Sequence, residues 1–290
     1  IQRLQMATQQ GDNVAVFAVD GNFDDAQTGV KRVFADADVA AQLEARGIRL
    51  SSANSINWGR LVPQIVYYFY TYFRLAENGG VAWGQPVDFC VPTGNFGDIL
   101  AGYYARRMGL PVGRLICASN QNNVLTDFIR TGTYDARRTF HKTASPSMDI
   151  LISSNLERLL YHVCGSAEKV SGWMRQLAAE GHYTVDAETL AGIQESFGCG
   201  WADDAQGAEE IRLRFEQDHY LCDTHTAVAF RVADACRGAA PMVVLSTASP
   251  FKFPRDVLQA LGGEVPASDF DAMDALTAKT GCQAPEALAR

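Results

Sequence analysis

Apolar and polar positions fall in short blocks along this chain, and the period of those blocks switches between two and 3.6. Asn13 to Val19 alternates and clusters Val, Ala and Phe, Asp20-Gly21-Asn22 supplies turn chemistry, and Phe23-Asp24-Asp25 opens a stretch with acids at its start. The pattern predicts a strand, a turn and a helix. Leu43 to Leu50 predicts a helix end at Gly47 and a short strand, followed by a polar connection from Ser51 to Arg60. A long helix is expected next. Leu61, Ile65, Phe69 and Phe73 recur every four residues, with Val62, Val66 and Tyr70 on the adjacent row, and Pro63 fits only near the first turn. The aromatic run Tyr67 to Phe73 is too short to cross a bilayer and is expected to pack in the core.

Val87 to Val91 predicts a second strand, which runs directly into Pro92-Thr93-Gly94-Asn95-Phe96-Gly97-Asp98. Leu100, Ala101, Tyr104 and Met108 then share a helical face ending near Gly109, and Val112 to Ala118 predicts a buried strand. This β-α-β alternation implies an α/β fold, with a largely parallel sheet covered by helices and ligands bound beyond the carboxyl ends of its strands. Helices near Asn155 to Cys164, Ala187 to Phe197 and Thr226 to Cys236, and a strand at Met242 to Leu245, continue the alternation. The Ala-rich tail from Ala267 is expected to be peripheral.

Composition narrows the function classes. The 290 residues suffice for about two domains, and 47% hydrophobic with 20% charged residues suits a globular protein. With 25 basic and 33 acidic residues the formal net charge is −8, which repels polyanions and argues against a nucleic-acid partner. No apolar run reaches the roughly 18–20 residues of a membrane-spanning helix, so no membrane association is expected. Seven scattered cysteines without a C-x-x-C pair suit a reducing, cytoplasmic setting. The chain starts at Ile1 without signal-peptide character, and a truncated chain is the expectation.

The sharpest chemical signal is Thr93 to Asp98 between a strand and a helix. Small residues there let successive backbone N–H groups converge on an anion at a helix N-terminus, a phosphate cup. It matches neither G-x-G-x-x-G nor the lysine-containing P-loop, and by spacing alone an ordinary glycine turn is an open alternative. His219, Cys222 and His225, or Cys199 with Asp203 and Asp204, lack the second ligand pair of a zinc site, so no metal is expected. Cys222 to Ala229 starts a helix capped by Asp223 or Thr224. His225 reads as a loop histidine satisfied by hydrogen bonds rather than a base.

Pro92 to Gly102, together with Asn54-Ser55-Ile56-Asn57-Trp58, Ala118-Ser119-Asn120 and Ser246-Thr247-Ala248-Ser249-Pro250-Phe251-Lys252-Phe253-Pro254, closely resembles threonine synthase over essentially the whole chain. The resemblance implies a fold type II pyridoxal-phosphate enzyme, a lyase that converts O-phospho-L-homoserine and water into L-threonine and phosphate, acting as monomer or homodimer. It implies two domains: residues 1–64 as the C-terminal part of a smaller α/β domain, and 65–290 as most of a large cofactor-binding one. Gly94, Asn95, Phe96, Gly97 and Asp98 would hold the cofactor phosphate, and Thr247 would face the pyridine nitrogen. Asn54, Asn57, Arg60, Asn120, Ser249 and Lys252 are candidates for substrate contact, because a phosphate and a carboxylate call for such donors. Arg60 and Lys252 could equally be solvated surface charges.

One departure stands out. The family's Schiff-base lysine lies in a Phe-Lys-Asp segment, and the lysines here are Lys31, Lys142, Lys169, Lys252 and Lys279, none in that context. The family's Ser/Thr-Ser-Gly-Asp-Thr-Gly stretch is also missing, so no catalytic residue is assigned and half an active site is expected. The rival readings are a non-catalytic phosphate-ligand-binding fragment and another fold type II lyase such as threonine dehydratase.

Overall fold

A computed structural model of the chain describes Thr8 and residues 11–21, 23–54 and 56–288. Two helices come first, α1 (Phe23–Ala35) and α2 (Ala37–Glu44), the second capped by the Asp36 carboxylate on the amides of Asp38 and Val39. The short α3 (Trp58–Leu61) passes through a 3-10 turn, Val62–Gln64, into α4 (Ile65–Glu77). Then follow β1 (Val87–Pro92), α5 (Gly97–Arg107), β2 (Val112–Ser119), α6 (Val124–Thr131) and β3 (Thr133–Asp135). α7 (Leu156–Cys164), α8 (Ala167–Glu180), β4 (His182–Thr184), α9 (Ala187–Ser196) and β5 (Phe197–Trp201) come next. The chain continues through α10 (Asp204–Asp218), α11 (Thr224–Cys236), β6 (Met242–Val244), α12 (Pro254–Ala260) and α13 (Asp269–Thr280).

The main sheet is parallel throughout, in the order β5-β2-β1-β6, with Phe89 opposite Leu115 and Val243, and Cys117 opposite Cys199. Both faces are covered, which is why β1 and β2 read as apolar runs rather than as alternation. Phe89, Val91, Leu115 and Cys117 face one core with Tyr68 and Tyr72 of α4 and Ile99 and Leu100 of α5. Cys90, Ile116 and Ala118 face the other, against Val228, Ala229 and Val232 of α11. At Gly102 the helices approach so closely that a Cβ would stand 2.6 Å from the Tyr68 ring. β3 and β4 form a separate antiparallel pair.

The parallel α/β expectation is met, and several local ones are not. Residues 13–19 form no strand, and Val14, Val16, Phe17 and Val19 are exposed. The strand expected after Gly47 is also missing. A strand is held by its neighbour's hydrogen-bond ladder, and neither segment has one among the described residues. The long helix is broken at Pro63, which lacks the N–H an α-helix interior needs and sits in the 3-10 turn instead. Its buried row is Leu61, Tyr68 and Tyr72, with Ile65 and Phe69 packed alongside, whereas Val62, Val66 and Tyr70 are exposed. Phe197 begins β5 rather than ending α9, because parallel pairing with Leu115 overrides its helical pattern. The tail is not peripheral: Ala272 and Met273 are buried in α13, and Met273 and Leu276 join Val257 and Leu258 of α12 in a third core.

Among the described residues no helix is long and apolar enough to cross a membrane, and no group of His, Cys, Asp or Glu is placed to hold a metal ion. All seven cysteines are free.

Candidate functional site

The carboxyl ends of β1 and β6 open onto a cavity of about 940 Å³, lined among others by Pro92 to Ile99, Ser147, Met148, His225, Thr247 and Lys252. This is where an open parallel sheet presents ligands, beyond its strand ends.

The loop after β1 is held from outside. Asn155 donates to the Asn95 carbonyl through its backbone N–H and its side-chain amide, at 3.2 and 2.9 Å. The amide and hydroxyl of Ser154 donate to the Asn95 side-chain oxygen, and the Ser153 hydroxyl donates to the Gly94 carbonyl at 3.2 Å. With those acceptors engaged, the N–H groups remain: no acceptor among the described residues takes the amides of Gly94, Asn95, Phe96, Gly97 or Asp98. Phe96 adopts a left-handed φ of 61°, uncommon for a residue with a bulky side chain. Burial of its ring beside Phe197, at 5.6 Å between centroids, offsets that strain. The left-handed residue turns the chain into α5, so that free amides and the positive end of the helix converge. Gly94 is required for a further reason: a Cβ would stand 2.6 Å from the Ser147 carbonyl oxygen.

Asp98 closes the floor. Tyr68 of α4 donates through its hydroxyl to the Asp98 carbonyl oxygen at 2.8 Å and to its carboxylate at 3.1 Å. Burial pushes the Asp98 carboxyl up to about 6, against the lowering effect of the Tyr68 hydrogen bond.

Thr247 lies three residues past β6, exposed to the cavity, its amide donating to the Thr226 hydroxyl at 3.4 Å. Beside it, His225 is buried in the first turn of α11 rather than in a loop. Its Nε2 accepts the Ser147 N–H at 3.1 Å and its Nδ1 faces the Asp223 carboxylate at 2.9 Å. Burial would raise the Asp223 carboxyl, but hydrogen bonds from His225 and Thr226 outweigh it and hold the group below its usual range.

Of the residues considered for substrate contact, Arg60 and Lys252 line the cavity. Arg60 also donates to the Ala53 carbonyl. Asn57 caps α3 on the Gly59 amide, and Asn54 accepts from the Ser52 hydroxyl and the Ile56 amide. Ser249 caps the 3-10 turn that carries Lys252, accepting from the Phe251 amide at 3.3 Å. Asn120 is 1% exposed, its amide donating to Thr143, Ser145 and Asp149. None of these four lines the cavity. The polar run Ser153-Ser154-Asn155, which holds this loop, is not among the residues the sequence motifs single out; its one signal is three consecutive hydrogen-bonding residues between Ile152 and Leu156.

Residues 226–282 match the family model described as threonine synthase, C-terminal. A threonine synthase of Pseudomonas aeruginosa is 43% identical over 270 residues, 92% of this chain and 55% of the relative. The solved structure of PLP-bound threonine synthase from Brucella melitensis is 42% identical, with a TM-score of 0.80 over 95% of this chain and 57% of that one. The chain is a threonine synthase homologue. Human threonine synthase-like 1 is likewise similar, 42% identical over 264 residues, 90% of this chain and 36% of that protein. The chain thus spans about half the length of the threonine synthases it matches. The α/β fold read from the strand and helix pattern is the one these threonine synthases share.

Proposed function

We propose that these residues form the phosphate cup and one wall of the active site of a pyridoxal-phosphate-dependent threonine synthase. The reaction would consume O-phospho-L-homoserine and water and release L-threonine and phosphate, by γ-elimination followed by β-hydration. The observation that carries this reading is the set of free amides from Gly94 to Asp98 at the start of α5. Dianionic phosphate matches such a donor set, and about 940 Å³ lies within the 300–1,000 Å³ typical of sites for molecules of cofactor size.

When bound, pyridoxal phosphate supplies the electron sink that acidifies the substrate's carbon-bound protons. The chain's own residues bind and orient. Gly94 to Asp98 would hold the cofactor phosphate through their backbone N–H groups, without a lysine. Thr247 would present a neutral hydroxyl to the ring nitrogen, leaving that nitrogen less basic than a carboxylate partner would. Arg60 and Lys252 carry the positive charge on this wall, and both suit an anionic substrate group. α4 and α5 exclude water from the floor through Tyr68, buried against Asp98.

A proton has to leave one carbon and reach another during the reaction, and positioned acid-base groups contribute about 10²- to 10⁴-fold to such steps. Lys252 is the lysine of this chain that lines the cavity. Threonine formation and pyridoxal-phosphate absorbance, measured together on the 290-residue chain, test the proposal. Cofactor is expected to bind reversibly, no threonine to form, and borohydride to leave no adduct on Lys252. An adduct on Lys252 with threonine formation would overturn the half-site reading. No binding of cofactor or inorganic phosphate by the folded chain would overturn the cup itself.

A further inference from the structure

We infer that Asp223 and His225 are positioning residues that set the spacing between the phosphate cup at Gly94 and the hydroxyl at Thr247. The inference rests on the cofactor reading above. Asp223 is fully buried at the N-cap of α11, and both of its oxygens are used, one toward each end of the site. Oδ1 accepts the His225 amide at 2.8 Å and faces His225 Nδ1 at 2.9 Å. Oδ2 accepts the Thr226 hydroxyl, whose oxygen in turn accepts the Thr247 amide at 3.4 Å.

The tautomer follows from the donors. A backbone N–H can only donate, so the Ser147 amide at 3.1 Å requires a lone pair on His225 Nε2, and the ring proton stays on Nδ1 toward Asp223. Ser147 thereby holds its carbonyl against Gly94, where the missing Cβ leaves room. The His225 ring is clamped by Phe253, with centroids 4.9 Å apart, so its orientation is fixed from both sides. One carboxylate thus ties the turn beneath the cup to the amide of Thr247. A rigid ligand that touches both ends binds well only when their separation is fixed, whereas inorganic phosphate needs the cup alone.

Two measurements test this. On the unliganded chain, nitrogen NMR is expected to show His225 protonated at Nδ1, and hydrogen exchange to show Ser147 protected. His225→Asn keeps a donor toward Asp223 but cannot reach Ser147, and should expose that amide. His225→Gln places an acceptor toward Ser147 and should restore protection. In binding titrations His225→Asn is expected to weaken pyridoxal phosphate by about tenfold or more while inorganic phosphate changes by less than about threefold, with His225→Gln recovering most of the loss. Equal losses for both ligands, or Ser147 unprotected in a parent chain that binds cofactor, would overturn the spacing role alone. A parent chain with Ser147 protected that binds neither ligand would overturn the functional reading and the spacing role with it.

Discussion

The ends of two neighbouring parallel strands use polar groups in opposite ways. After β1, Gly94 to Asp98 line a cavity and their five amides find no acceptor among the described residues, while the carbonyls of Gly94 and Asn95 are bound by Ser153 and Asn155. After β2, the side chains of Asn120 and Asn122 are consumed inside the protein, by Thr143, Ser145, Asp149 and the His141 carbonyl. Both loops occupy the position where a parallel sheet offers a ligand site. What separates them is satisfaction: a buried polar group that has found its partners holds the scaffold, and a set of donors left open is available to an acceptor from outside the chain.

The closed side should break with the largest effect on stability. Asn120→Ala removes a donor from the buried Asp149 carboxylate and is expected to cost about 2–4 kcal/mol by denaturant unfolding. Phosphate affinity of the folded fraction should hold within about twofold, a difference of under 0.5 kcal/mol. A loss of ligand affinity without loss of stability would move Asn120 to the ligand side of the comparison.

On the open side, Gly94→Val forces a side chain against the Ser147 carbonyl and displaces the loop. Affinity for pyridoxal phosphate should fall at least about 30-fold, roughly 2 kcal/mol, with a smaller loss of stability as the cup alone deforms. Unchanged affinity in a folded variant would show that these amides are not the phosphate donors.

Asp98 sharpens the contrast through pH, because it is a titratable group beside the open amides. Burial raises its folded-state carboxyl to about 6, above the ordinary range of an aspartate. An acid raised on folding stabilises most below its unfolded value and loses that contribution as pH rises through the folded one. Asp98→Asn should therefore gain up to about 3 kcal/mol over the parent at pH 8 and little at pH 4. Thermal midpoints of both chains across that range decide it, and a pH-independent difference would count against the buried carboxylate.

The smallest effect is expected at the far wall. Thr247→Asp should leave pyridoxal-phosphate affinity within about threefold, because the cup still holds the phosphate, yet shift the cofactor's absorbance by raising the proton affinity of the facing nitrogen. An unchanged spectrum would remove Thr247 from the ring.

Much of the central architecture was legible because its signals are local. β1 and β2 are apolar runs bounded by turns, and the cup is written in consecutive residues from Thr93 to Asp98. Helices with weak or polar patterns were not legible. α10, Asp204–Asp218, is charged at seven of its 15 positions, and its place comes from a capping box at Asp203 and Gln206 and from the Arg214 contacts with Glu210 and Asp234. α13 shows the same limit, since an Ala-rich amphipath declares its buried side only when another helix meets it.

By itself the sequence determined the elements whose cause lies within a few residues: turns, caps, apolar strands and the glycine-bearing loop after the first of them. Tertiary structure decided what depends on a partner distant along the chain. Residues 13–19 alternate like a strand yet have no described neighbour to complete a ladder, so they form none. His225 carries no local mark of its tautomer; that is set by Ser147, 78 residues before it, and by the Asp223 cap. Backbone amides, too, are alike in sequence; in the fold Ser153, Ser154 and Asn155 take up the loop's acceptors, while five amides of the cavity lining find no acceptor among the described residues.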